Sequence, residues 1–340
     1  MSNDKMTQLS NMIKFWQLHR MYQDWSHPFA TCRLIQDVIF CIEMERYNRE
    51  KLNPIELKLG RMSDPKAELT DGEEIQIRAV IGGIGWVDKQ ARPDETLTAS
   101  FLRSSFHEAV TKDLADANAS VRRLKSDPLL GLRIMPCEVD EARVASVSDG
   151  SFDTDKATGA SQGGFIVGIT TTALNNNEEA PFSTMSWVSH KIKRVVGSTM
   201  AAESFSFSDA LAEAEWIWAL WQETVWSDYD PKTRRRSTQP EREDPAVAVL
   251  KSDSTISIDP SVVSVVDADF PFDNLVKETT GGNERRVAFE LCACRQSMRA
   301  IGCKARCFQH HCMPADAFTR RAPNAVVLTR VMRSGSVQNL

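Results

Sequence analysis

Four carboxylates stand where the sequence pattern places boundaries between secondary-structure elements: Asp149, Glu203, Asp253 and Asp316. Asp149 closes the strand pattern ARVASVSDGS, and Glu203 falls in the first turns of an Ala-rich helix. Asp253 ends the apolar run AVAVLKSD, and Asp316 opens the segment PADAFTRR. Acids far apart in sequence but delivered to one sheet edge can hold hard divalent ions such as Mg²⁺, which take carboxylate oxygens. Two such ions held about 3.5–4 Å apart activate a water and stabilise a leaving oxygen in phosphodiester hydrolysis. An Asp at a strand end is also a common turn or cap residue. With 46 acids in the chain, spacing alone leaves both readings open.

The elements that must position these acids follow from periodicity. The β-branched residues of ARVASVSDGS predict a strand that ends in a turn-forming Asp-Gly. GGFIVGITT and STMSWVSHK predict two more strands, separated by the polar loop NNNEEAP, so the three form an antiparallel meander. A long helix is expected from about Thr199 to Thr224, preceded by a capping Gly-Ser-Thr. The polar, proline-containing SDYDPKTRRRSTQPERED reads as a loop or insertion. AVAVLKSD then predicts a buried strand, ERRVAFELCACRQSMRAIG a helix ending at Gly302, KARCFQHH a strand, and PADAFTRR the start of a last helix. The sum is an α/β sandwich around a mixed five-stranded sheet.

Upstream, the segment from LTDGEE to about Phe106 carries helical spacing broken by Gly82, Gly83 and Pro93, which predicts a mostly helical region with a glycine-marked close contact. Asp113 to Lys125 predicts another helix, stopped by Ser-Asp-Pro. The first thirty or so residues show no usable period.

At 340 residues, 42% hydrophobic and 26% charged, the chain has the balance of a folded protein with room for two domains. A net charge of -5 excludes indiscriminate coating of nucleic acid by bulk positive charge, while leaving local basic patches. Short, interrupted apolar runs and an N-terminus without a basic start and apolar core predict a soluble, intracellular chain with no membrane partner and no secretory signal. The eight cysteines are then thiols in a reducing compartment, cytoplasmic or nuclear.

Several of these segments together carry a family resemblance. VSDGS followed by GGFIVGI resembles the first hairpin of ribonuclease H domains. SWVSHKIKRVVGSTMAAESFSFSDALAEAEWIWAL is similar to the strand, basic turn and Ser-Thr-x-Ala-Ala-Glu helix of that domain in copia-type LTR retrotransposon Pol polyproteins. VLKSDS resembles the strand that delivers the third acid, and MPADAFTRR the Ala-Asp-x-x-Thr-Lys element that delivers the fourth. YNREKLNPIEL, LGR, LTDGEE and RAVIGGIGWVDKQARPDE resemble the reverse-transcriptase thumb and connection of the same polyproteins. The polymerase's Tyr-x-Asp-Asp motif is absent from the sequence. The resemblance divides the chain into an unassigned segment 1–38, a mostly helical thumb/connection-like region 39–142 without the palm, a ribonuclease H-like domain 143–321, and a tail 322–340.

What the resemblance implies is a ribonuclease H that cuts the RNA strand of RNA–DNA hybrids with two Mg²⁺ or Mn²⁺ ions and makes no DNA. A catalytically inactive nucleic-acid-binding remnant is the alternative. Asp149 would bridge the ions, Glu203 and Asp253 would share them, and Asp316 would hold the ion that activates water. Ser198 and Thr199 match positions that contact the minor groove, where 2′-hydroxyls are read, although a helix N-cap is an equally good reading. Lys191, Lys193 and Arg194 form a basic turn that is either solvated or phosphate-neutralising. His310 or His311 would assist proton transfer near the fourth acid. The polymerase part of such a polyprotein is the implied protein partner.

Three further features invite chemistry. Cys303, Cys307, His310, His311 and Cys312, with Cys292 and Cys294, suggest zinc, but their spacing fits no common zinc site, so they are read as core thiols and loop histidines. Trp216, Trp218, Trp221 and Trp226 cannot share one helical face and are read as core. Arg234, Arg235 and Arg236 are read as a basic run in the insertion. That insertion, Arg320 in place of the usual Lys and Cys307 in place of the common Trp depart from the family pattern.

Overall fold

Thr70 opens the helical part of the chain: its side chain accepts the Glu73 N–H while its own N–H donates to Glu73 at 2.9 Å, a reciprocal capping box. The computed structural model describes residues 44–58, 60–155, 159–176, 178–226, 228–230, 235–236, 262–266, 285–320 and 325–338. The chain divides into two compact units after Arg133.

In the first unit, helix α1 (Asp71–Gln90) is followed by α2 (Thr96–Ser105) and α3 (Thr111–Ser126). The expected mostly helical character is what the structure shows. Gly82 and Gly83 do not break α1; a Cβ on Gly83 would lie 2.7 Å from Leu52 Cδ1 and 3.0 Å from the Tyr47 hydroxyl, so this glycine admits the preceding segment against the helix. The break falls at Arg92 and Pro93, where proline starts a short 3₁₀ turn. Ile77, Ile84 and Val87 of α1 pack with Leu114, Ala117, Val121 and Leu124 of α3, all fully buried at helical spacing. Glu95, also fully buried, accepts two hydrogen bonds from Arg123 at 2.6 and 2.7 Å and one from Ser120 at 2.7 Å. Its charge is thereby paired rather than stranded.

The second unit is a mixed α/β structure. Its strands are β1 (Ala142–Asp155), β2 (Ala160–Thr171), β3 (Ser183–Lys191), β4 (Val262–Val266) and β5 (Cys303–Cys307). The sheet order is β3-β2-β1-β4-β5. The first three strands form the expected antiparallel meander, and β4 and β5 add to β1 in parallel. Helices α4 (Thr199–Val225) and α5 (Arg285–Ile301) flank the sheet and pack on one another. Gly302 follows α5 with φ +66°, the left-handed stop that the sequence marks. Helix α6 (Ala325–Ser334) ends the described chain, and α6 with the short pairing of Ser336–Val337 against Ala180–Pro181 places the expected tail within this unit. Ile134–Ala142 also belongs here, because the Ser183 hydroxyl bonds both Met135 backbone groups, at 2.8 and 3.2 Å. Among the described residues no helix is long and apolar enough to cross a membrane.

Three sequence expectations need correction. First, β1 does not end at Asp149-Gly150 but runs on to Asp155. Second, the strand beside β1 is Val262–Val266, which the sequence reading does not mark; AVAVLKSD, together with Asp253, lies outside the described residues. VVSVV is buried throughout and β-branched at four of its five positions, as suits a parallel strand covered on both faces. Third, Asp316 sits in a 3₁₀ turn, Pro314–Phe318, separate from the last helix.

Candidate functional site

Glycines decide how closely the layers approach around Asp149. A Cβ on Gly150 would lie 2.4 Å from the carbonyl carbon and oxygen of Ala202 and 2.6 Å from the Glu203 nitrogen. Helix α4 therefore rests its backbone on β1 at the residue after Asp149. The first turns of α4 are Ala201, Ala202, Glu203, Ser204, all buried, and these mostly small residues permit that contact. On the opposite face Gly164, paired with Asp149 across β1 and β2, has Phe318 Cβ 2.3 Å from where its own Cβ would be. Successive strand residues face opposite sides. Gly150 thus admits α4 on one face, and Gly164 admits the Asp316 turn on the other.

This double approach packs the elements that carry three of the four expected acids against β1 around Asp149-Gly150. Asp149, Glu203 and Asp316 are buried, at 0%, 4% and 2% exposure. The described pairing of β1 with β4 runs as far as Val147↔Val265. Three residues beyond Val147, the Gly150 N–H donates to Glu203 Oε2 at 3.1 Å, so the helix carboxylate takes over an edge donor of β1. From the other face the Thr319 hydroxyl donates to Asp149 Oδ2, while the Thr319 N–H and the Arg320 N–H close the turn onto the Asp316 carbonyl at 3.2 and 3.0 Å. Ser189 of β3 donates to the Phe318 carbonyl at 2.5 Å and accepts from Gln162 of β2 at 2.8 Å, which ties the turn to the sheet. His310 Nδ1 lies 3.5 Å from Asp316 Oδ2, with most of the ring in solvent. His311 is exposed beside it.

Buried carboxylates are costly unless compensated, and an all-oxygen donor set is the one hard divalent cations take. Asp149, Glu203 and Asp316 offer that donor type and are buried. Among the described residues no three His, Cys, Asp or Glu side chains stand close enough together to hold one. Asp253 lies outside the described residues.

The remaining expected site residues divide. Ser198 is the N-cap of α4, its side chain accepting the Ala201 N–H at 3.1 Å. Lys191, Lys193 and Thr199 are exposed. Arg194 is committed within the chain: it pairs with Glu290 of α5 at 2.5 Å and lies over the Phe205 ring at 4.9 Å. Arg235 and Arg236 pair with Tyr229 and Asp230 as a short strand, and Arg234 lies outside the described residues. Of the tryptophans, Trp221 is buried on the stripe of Ala210, Ala214 and Ile217, but Trp216 is 41% exposed, because residue 216 falls off that stripe. Burial pushes the Cys294 thiol up to about 11 and the Cys303 thiol up to about 12, so both are neutral thiols. Thr319 was not singled out by sequence, although it is the Thr of the element that carries Asp316.

Thr319→Val is expected to cost about 1.5–3 kcal/mol, the usual contribution of a hydrogen bond to a charged group, and Thr319→Ser to retain most of it. Urea unfolding of the two variants measures this. Equal stability of the Val variant and the unsubstituted chain would show that the hydroxyl does not hold Asp149.

Comparison with protein-family models, with curated proteins and with solved structures finds no match.

Proposed function

We propose that the second unit is a ribonuclease H-like endonuclease that hydrolyses the RNA strand of RNA–DNA hybrids, and that the chain derives from a copia-type retrotransposon Pol polyprotein. The observation that carries this reading is the meeting of separate elements at one edge of β1: Asp149 from the strand, Glu203 from α4 on the Gly150 N–H, and the Asp316 turn through Thr319 on Asp149. The sheet order, with a three-strand antiparallel meander followed by two parallel strands, supports it.

The third acid in this reading is Asp267 rather than Asp253. β4 is offset from β1 by 118 residues, as in Ser146 and Ser264. Asp267 follows Val266 directly in the sequence and stands at the same 118-residue offset from Asp149, although it lies outside the described residues. Asp149, Glu203, Asp267 and Asp316 would hold two Mg²⁺ or Mn²⁺ ions. When bound, such ions supply Lewis-acid stabilisation of the scissile phosphate and an activated water. The chain's own residues orient the carboxylates through Gly150 and Thr319, and His310, beside Asp316, would pass a proton to solvent. The thumb/connection-like reading of the first unit rests on the sequence resemblance together with its helical content.

Full-length protein with Mg²⁺ and an end-labelled RNA–DNA hybrid tests this. The expected result is RNA-strand cleavage that Asp149→Asn abolishes and that double-stranded DNA does not support. A second reading, a nucleic-acid-binding remnant without catalysis, is favoured by the lack of a three-acid group among the described residues. Hybrid binding without Asp149-dependent cleavage would establish it in place of the nuclease.

A further inference from the structure

The outer face of α5 combines features that a merely structural helix avoids. Its first turn holds Arg285 and Arg286, both exposed, and no acid, a placement that works against the positive end of the helix dipole. One turn on, Phe289 is 76% exposed. Glu290, the one acid of the helix, is neutralised by Arg194 at 2.5 Å. That ion pair also brings the basic turn after β3 against α5, with Lys193 exposed and Val195 79% exposed beside it. Arg194 lies over Phe205, two residues from Glu203. Arg194 thus joins α5 to α4, the helix that carries Glu203, with Arg285, Arg286 and Phe289 exposed beyond it.

We infer that this face is a second nucleic-acid contact, in which Lys193, Arg285 and Arg286 neutralise backbone phosphates of a strand leaving the carboxylate edge and Phe289 stacks on one of its bases or sugars. A local cluster of cations in a chain of net charge -5 marks a specific track rather than bulk attraction. An exposed ring among arginines supplies the stacking platform that sequence-tolerant binding uses. The inference rests on the reading of the neighbouring edge as a nucleic-acid site, but it requires no cleavage. Binding is therefore measured separately from catalysis.

The full-length chain is titrated into a fluorescein-labelled RNA–DNA hybrid in EDTA, with anisotropy followed from low to moderate salt. Losing two phosphate contacts in Arg285→Gln/Arg286→Gln is expected to flatten the log K against log[salt] slope by roughly 1.4–1.8, at about 0.7–0.9 per contact, with affinity about ten-fold lower at low salt. Phe289→Ala is expected to weaken binding by roughly 5- to 100-fold with the slope unchanged. These residues are exposed, and circular dichroism verifies the fold of each variant. An unchanged slope in the double Arg variant, full affinity in Phe289→Ala, or no binding by the unsubstituted chain overturns the inference. So does a change of oligomeric state on Phe289→Ala without a change in binding, which would assign the face to a second copy of the chain. Failure of Asp149-dependent cleavage alongside intact, Arg-dependent binding overturns the nuclease reading alone.

Discussion

Replacing Asp267 by Asn is expected to lower hybrid cleavage on the order of 10²–10³-fold, the loss seen when one preorganised charge-stabilising group is removed, whereas Asp253→Asn leaves the rate at that of the unsubstituted chain. The reason is the constant sequence offset between the two paired strands. β1 and β4 are parallel and in phase from Val144↔Val262 to Val147↔Val265. Asp149 lies two residues beyond that last pair on one strand, and Asp267 occupies the same place in the sequence beyond the other. Asp253 precedes β4 by nine positions in the chain and bears no such relation to Asp149. Single-turnover cleavage of one hybrid by the two variants at equal Mg²⁺ decides between them. Activity surviving in Asp267→Asn and lost in Asp253→Asn would restore the acid first expected and remove the offset argument.

The contrast shows which features the sequence makes legible. The long helix carrying Glu203 was expected from about Thr199 to Thr224 and is Thr199–Val225, because a Ser cap and an unbroken Ala-, Glu- and Leu-rich run fix both helix type and start. The helix before Gly302 was equally plain, since the left-handed stop and the stripe of Val287, Leu291, Cys294 and Met298 agree. The strand VVSVV was less legible, because burial on both faces is a property of the assembled sheet that a short valine-rich run does not announce. Asp-Gly at 149–150 reads as a turn by propensity. Packing reverses that reading: the glycine is there for the space its missing side chain leaves to α4, inside a strand that continues. Thr319 went unmarked for a similar reason, because its partner is Asp149, 170 residues away, and no local spacing encodes that pair.

The packing role of Gly150 leads to the largest expected change in stability. Gly150→Ala brings two opposed effects. A strand residue with a Cβ loses less chain entropy on folding, a gain of about 0.4–1 kcal/mol where the backbone geometry is compatible. Against it, the new methyl would meet the Ala202 carbonyl carbon and oxygen at 2.4 Å and the Glu203 nitrogen at 2.6 Å. These are backbone atoms in a buried helix and cannot rotate aside, so the cost falls at or beyond the upper end of the roughly 1–3 kcal/mol of ordinary overpacking. The clash wins, and for a unit of this size each kcal/mol lowers Tm by roughly 2–4 °C. Gly163→Ala is the internal control. Its nearest neighbours, Ser206 Oγ at 2.7 Å and Ile192 Cγ1 at 3.2 Å, are side-chain atoms that can shift, so a smaller loss is expected. Thermal unfolding of both variants measures the difference, and a Gly150→Ala chain as stable as Gly163→Ala would refute the close approach of α4 to β1. Moving α4 outward also carries Glu203 off the Gly150 N–H, the hydrogen bond that fixes this carboxylate beside Asp149. In a Gly150→Ala chain that still folds at low temperature, hybrid cleavage is therefore expected to fall further than the folded fraction does.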